Sequence, residues 1–229
     1  MTPQRLSRRR FLKLSGMVLG SSILGGVGSG VLVNLTDPVE SQATIGYPEL
    51  RMKKENMSRK LLVTYASAAG STGGVAEIIT KNLVEKGLEV DLQRVEAVKT
   101  VEGYDGVILG SAIHGGKCLP EAAEFVEVNQ AKLNKIPTLF FSVGLMVNNK
   151  SADNQKLVDG FLAPQRTLVK PAAEGSFTGA LFPKDYPFST GLGLRFFIAY
   201  CGLGYRGGDF RDPAAISRWA DEIYPLLNS

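Results

Sequence analysis

Between residues 61 and 87 the chain changes its hydrophobic period once, and a loop of very small residues stands at the change. Leu61–Tyr65 is a short apolar run fit for a buried strand. From Thr72 onward, Val75, Ile78, Ile79 and Leu83 recur at helical spacing and define one face, and Gly87 supplies a left-handed stop. The stretch between them, Tyr65-Ala66-Ser67-Ala68-Ala69-Gly70-Ser71-Thr72, holds hydroxyls and small side chains and no charge. A strand, a small-residue turn and a helix in that order make a phosphate site. Backbone N–H groups can approach the anion closely, and the helix turns its positive end toward it. The stretch has neither the Gly-Lys-Ser/Thr of a P-loop nor a Gly-x-Gly-x-x-Gly dinucleotide turn. What remains is a cradle for a single phosphate, built of backbone and hydroxyls.

The rest of the chain repeats this alternation. Leu88, Val90, Leu92 and Arg94 alternate with Glu89, Asp91 and Gln93, which predicts a half-exposed strand; Val107–Ser111 is another strand. Pro120 suits the first turn of a helix that runs to Leu133. The segment 137–144, PTLFFSVG, is apolar on both faces and reads as a central parallel strand covered by helices. Beyond Leu145 the rhythm loosens. Asp153–Leu162 reads as a helix ending near Pro164, Gly175–Leu181 as a fifth strand, and Leu192–Leu203 as a helix or a packed loop. Asp212 and Pro213 open a last helix with the buried stripe Ile216, Trp219, Ala220, Ile223 and Leu227. Five strands alternating with helices predict an α/β fold, a doubly wound parallel sheet with helices on both faces. In such a sheet ligands sit beyond the carboxyl ends of the strands where strand order reverses, which is where the small-residue loop falls.

Ser67-Ala68-Ala69-Gly70-Ser71-Thr72 resembles the phosphate loop of the flavodoxin family, roughly Ser/Thr-x-Thr-Gly-x-Thr, with Ala69 replacing a hydroxyl residue. The resemblance implies a flavodoxin-like five-stranded fold over residues 60–229 and FMN as cofactor, with these six residues around its phosphate. It also implies two loops flanking the flavin ring. One carries Ser111, Ala112, Ile113, His114 and Gly115, and the other Ser142, Val143, Gly144 and Leu145. Neither loop has an aromatic residue to stack on the ring, so either looser binding is expected or Ile113, His114 and Leu145 take that place. Four further segments, YDGVILGSAIHGGKCLPEAAEFV, LFFSVGL, GALFPKDYPF and GGDFRDPAAISRWADEI, resemble the flavodoxin-type protoporphyrinogen oxidases, which use menaquinone as acceptor. That resemblance implies an FMN-dependent oxidoreductase with a quinone or a redox protein as partner. Two alternatives stay open: an FMN electron carrier without a small-molecule substrate, and a flavin-free binding module on the same fold, for which Ala69 and the missing aromatics speak. No catalytic side chain is assigned, because the flavin itself carries redox chemistry and the protein binds and orients it.

The N-terminus carries an address. Ser7-Arg8-Arg9-Arg10-Phe11-Leu12-Lys13 matches the twin-arginine export motif, and Leu14–Leu35 is an uncharged run diluted by glycine and serine. Ser41-Gln42-Ala43 offers a small-x-small cleavage site. Residues 1–43 are therefore expected to engage the twin-arginine export machinery and place the protein outside the cytoplasm, in a periplasmic or other extracytoplasmic location. Cleavage and retention as a membrane anchor both remain open, since the run is long enough to span about 30 Å of hydrocarbon. Residues 44–59 lack periodicity and read as a linker. The net charge of +4 comes from the leader: five of the 26 basic residues precede the first acid, leaving 21 against 22 acidic residues. A near-neutral body argues against a nucleic-acid partner. One histidine and two distant cysteines, Cys118 and Cys201, make neither a disulfide framework nor a usual metal site. Between Lys184 and Arg211, cations stand among aromatics, a pattern that fits either packing against the sheet or contact with a substrate or quinone.

Overall fold

The structure, a computed structural model, describes residues 48–52, 59–185 and 188–228; the export motif and most of the segment read as a linker lie outside them. The elements in chain order are β1 (Leu50–Met52), β2 (Lys60–Ala66), α1 (Ser71–Glu85), β3 (Glu89–Arg94), β4 (Gly106–His114), β5 (Lys117–Cys118), α2 (Pro120–Leu133) and β6 (Thr138–Val143). They continue with α3 (Ala152–Gly160), α4 (Ala163–Leu168), β7 (Ala173–Phe177), β8 (Ala180–Leu181), α5 (Phe188–Tyr200), β9 (Gly208–Asp209) and α6 (Pro213–Leu227).

Five strands lie parallel in the order β3-β2-β4-β6-β7, the doubly wound arrangement that the alternation predicts. β2 and β6 sit inside the sheet and are buried almost throughout, which is why their apolar runs do not alternate. One face carries α1 and α6, whose Val75, Ile79, Leu83, Ile216, Trp219, Ala220, Ile223 and Leu227 pack on Leu61, Val63, Ile108 and Phe141. The other face is covered by α2 through Ala122, Phe125, Val126 and Leu133, with Leu162 and Val169 beside them. The Asp212 carboxylate accepts a hydrogen bond from Ala215 N at 3.0 Å and caps α6, with Pro213 in its first turn.

Four local expectations change. Leu50–Met52, within the expected linker, pairs antiparallel with β3 and covers the sheet edge; three residues are too few to show a period. β3 is consequently buried on both faces at its centre, not half exposed: Asp91 is 3% exposed and is held by Tyr104 Oη at 2.7 Å and Lys60 Nζ at 3.1 Å. Pro164 begins α4 in its first turn instead of ending the helix before it. The expected fifth strand divides, because β7 ends at Phe177 while Ala180–Leu181 leaves the sheet to pair antiparallel with β9. That two-stranded ribbon closes the base of an excursion containing α5, which Gly202 ends with φ 76°. Among the described residues no helix is long and apolar enough to cross a membrane.

Candidate functional site

The sheet order reverses between β2 and β4, and the loop Ser67–Gly70 leaves β2 at that point. Gly70 takes a left-handed conformation at φ 87° and starts α1, with no side chain capping the helix. The first-turn N–H groups are therefore open to an acceptor from outside the helix. Ser67 braces the turn by accepting from Gly70 N at 2.9 Å. Ala68 is exposed and Ala69 half-buried, so both crowd little. Thr72 is fully buried and its Oγ1 has no hydrogen-bond partner. An unpartnered buried hydroxyl is costly, and a ligand oxygen would satisfy it.

Two residues outside the loop close in on it. A Cβ on Gly179, just past β7, would come within 3.1 Å of Ser71 Oγ and 3.0 Å of Val143 Cγ1, so the bare backbone is wedged between the loop and the end of β6. A Cβ on Gly74 would overlap Arg211 Nη1 and lie 2.8 Å from its Cζ, so the guanidinium rests on the first turn of α1. Arg211 is held there by Asp209, with Nε donating to Oδ1 at 2.8 Å and Nη2 to Oδ2 at 2.5 Å. This fork lowers the Asp209 pKa and raises that of Arg211. Sequence reasoning met Arg211 only as one cation of the insert; nothing local marks it as a neighbour of Gly74, which lies 137 residues earlier.

The second expected loop is largely a strand. β4 runs on to His114 and returns as β5 through Gly115 and Gly116, at φ 57° and 76°, a two-residue hairpin turn that glycine permits. His114 faces Lys117 across the hairpin, and both are exposed. Desolvation lowers the His114 pKa below the usual imidazole value. Ser111 donates to Ala112 O at 2.8 Å and accepts from Leu119 N at 2.9 Å, so its hydroxyl anchors the hairpin base. Ala112 pairs with Val143, and Ile113 packs on Val147, Val158 and Phe161 and touches Gly144.

The third loop follows β6. Ser142 is fully buried and shares a hydrogen bond with Ser176 Oγ at 2.9 Å, and Gly144 N donates to Phe177 O at 3.0 Å. Leu145 begins a short 3-10 turn and is buried beneath α5 with Ile198 and Cys201. Asn148 Nδ2 donates to Cys201 O at 2.9 Å and Asn149 Nδ2 to Tyr200 O at 3.2 Å, tying this loop to the end of α5. The structure thus brings all three loops to one end of the sheet. It engages the side-chain hydroxyls of Ser111 and Ser142 elsewhere and leaves Thr72 Oγ1 unengaged.

The family model described as Flavodoxin domain matches residues 62–196. The chain belongs to the flavodoxin domain family. Proteins of this family bind FMN. The chain is 30% identical over 89 residues to the protoporphyrinogen IX dehydrogenase [quinone] of Escherichia coli K12, covering 38% of this chain and 49% of that protein. It is 37% identical over 89 residues to probable flavodoxin 1 of Bacillus subtilis, covering 37% and 56%. The chain therefore spans about half the length of the curated relatives it matches. Oxidised Flavodoxin 1 from Bacillus cereus aligns with a TM-score of 0.47 at 15% identity, covering 73% of this chain and 99% of that one. In this flavodoxin-like chain the loop at residues 67–72 offers open first-turn amides and a buried hydroxyl without a partner, donors of the kind that an anionic group such as a phosphate takes.

Proposed function

We propose that this flavodoxin-like chain is an FMN-dependent oxidoreductase, exported by the twin-arginine route, whose electron acceptor is a quinone. The observation that carries FMN binding is the buried, unpartnered Thr72 Oγ1 beside an uncapped helix N-terminus. FMN, when bound, supplies the redox chemistry. In this proposal Ser71, Thr72 and the first-turn amides of α1 hold its phosphate. The hairpin of Ile113 and His114 and the turn at Gly144–Leu145 border the ring. Quinone linkage is supported by the 30% identity to a dehydrogenase whose name carries the qualifier quinone, and export by the motif at Ser7–Lys13.

A second reading, a pure electron carrier, is favoured by the 37% identity to a probable flavodoxin. One experiment separates the two. The full chain, loaded with FMN and desalted, should show the two visible bands of oxidised flavin; it should then be reduced chemically and mixed with a soluble quinone. Catalytic reoxidation by quinone supports the oxidoreductase. Retained flavin that passes electrons only to proteins supports the carrier. A colourless chain after reconstitution rules out both.

A further inference from the structure

Helix α5 carries apolar residues on its outward side as well as its inward one. Ile198 lies on the inward side and, with Cys201 just past the helix end, is fully buried against Leu145. On the opposite side Leu192, Phe196 and Tyr200 follow one another turn by turn, 46%, 62% and 61% exposed, with Phe197 at 40% beside them. Tyr205, 64% exposed, sets its ring edge-on to Phe196 at a centroid distance of 6.4 Å and extends the patch beyond the helix. Of the two alternatives open for this segment, packing accounts for Ile198, which lies against Leu145 and Cys201, and does not account for these aromatics. A surface helix ordinarily turns polar residues outward, and a contiguous apolar patch marks a surface that something covers.

Charge identifies the cover. From Phe188 to Gly208 the chain carries Arg195 and Arg206 and no acidic residue, and both arginines are exposed. A second copy docked on itself through this patch would bring Arg195 and Arg206 toward their own copies, and the segment itself supplies no acid to offset them. A layer of lipid phosphates over an apolar boundary complements both features: rings and leucine enter the acyl boundary while the guanidinium groups meet headgroups. Thirteen residues make a helix of about 20 Å, short of the roughly 30 Å of a hydrocarbon core, so α5 would lie on a membrane instead of crossing it.

We propose that the outward face of α5, with Tyr205, Arg195 and Arg206, docks on an anionic lipid surface. Docking is independent of the cofactor. Its consequence for function rests on the quinone proposal above: Asn148 and Asn149 bind α5 to the loop after β6, so lipid headgroups would lie about one helix diameter, roughly 10 Å, from the site.

The test must distinguish this face from the N-terminal apolar run, which could tether the full chain by itself. Phe196→Trp places a fluorophore on the patch, and the single native tryptophan, Trp219, is 9% exposed in the core. Val128→Trp, at a position 75% exposed on α2, serves as the control. Each full-length variant is mixed with phosphatidylglycerol–phosphatidylcholine vesicles carrying brominated acyl chains, which quench only a ring at acyl depth. The expected result is at least about two-fold quenching of the added indole in the Phe196→Trp protein and none in the Val128→Trp protein, with Arg195→Glu and Arg206→Glu together abolishing it. Equal quenching in both proteins, no quenching in the Phe196→Trp protein, or quenching indifferent to charge reversal overturns the proposal. So does sedimentation showing an oligomer that Phe196→Ser with Tyr200→Ser dissolves, because the occupant would then be a second copy.

Discussion

Replacing Thr72 by valine keeps the shape of the side chain and removes its hydroxyl, so stability and cofactor affinity should move in opposite directions. Thr72 is 0% exposed and its Oγ1 has no partner. Leaving such a group buried costs about 1–3 kcal/mol, and valine relieves that cost at nearly equal helix propensity. Cofactor-free protein should therefore gain about 1 kcal/mol, or roughly 2–4 °C in Tm for a fold of this size. With FMN the balance reverses. A hydrogen bond to a charged phosphate oxygen contributes about 1.5–3 kcal/mol, so the valine protein should bind FMN about 10- to 150-fold more weakly. Urea unfolding of the cofactor-free protein, followed by Trp219 emission, gives the first quantity. Quenching of FMN fluorescence on titration gives the second. A valine protein less stable than the parent would mean that the hydroxyl already has a partner. An unchanged Kd would remove Thr72 from the phosphate site.

Three further outcomes are expected. In Gly110→Ala the new Cβ overlaps the Phe141 ring, standing 2.5 Å from its Cε1, and that ring is fully buried with edge contacts to Phe177 and Trp219 at 6.1 and 6.3 Å. Overpacking plus damaged ring contacts should cost about 3 kcal/mol in a urea titration, and a cost below about 0.5 would mean the ring has room to move. In Gly74→Ala the Arg211 guanidinium must leave α1; the part-exposed ion pair lost, below about 1 kcal/mol, is offset by about 1 kcal/mol of helix propensity. Stability should stay level while FMN affinity falls about 2- to 5-fold, and an unchanged affinity would show that the guanidinium adds nothing to the site's field. Burial pushes the Cys201 thiol, and with it Cys118, up to about 11 from an ordinary 9.0. A raised pKa gives stability that is complete below pH 9 and lost as pH climbs toward 11, at about 1.4 kcal/mol per pH unit per thiol. Cys201→Ala should flatten one thiol's share of that decline in urea midpoints, and an unaltered slope would refute the assignment.

The parts legible in the sequence were those with a period long enough to repeat. α1 and α6 show their buried stripes over four turns, and β6 shows its two-sided burial in Leu139-Phe140-Phe141, which do not alternate with polar residues. The turn from β2 into α1 was legible because small and hydroxyl residues stand where the hydrophobic period changes, and Gly70 takes the left-handed conformation there. What could not be read was set by distant partners. β1 is a strand only because β3 presents an edge, and Asp91 is tolerated inside only because Lys60 and Tyr104 reach it. Ser111 and Ser142 look like ligands in the sequence, and only the fold shows Leu119 N and Ser176 engaging them. Arg211 reaches the site through a ribbon whose strands are two residues long, below any periodic signal.

The pairing of α1 with α6 also sets a timetable for synthesis. Asn82 on α1 donates to Ser217 Oγ on α6 across 135 residues, and both helices fill the same face of the sheet. At roughly 5–20 residues per second a ribosome needs about 7–27 s to make the intervening chain. For that interval Ile79, Leu83 and their strand neighbours have no lid, and the nascent chain presents an open apolar face to the cytosol. Folding of this face waits for translation to pass α6, so a holding chaperone has a defined binding surface and a defined window in which to occupy it.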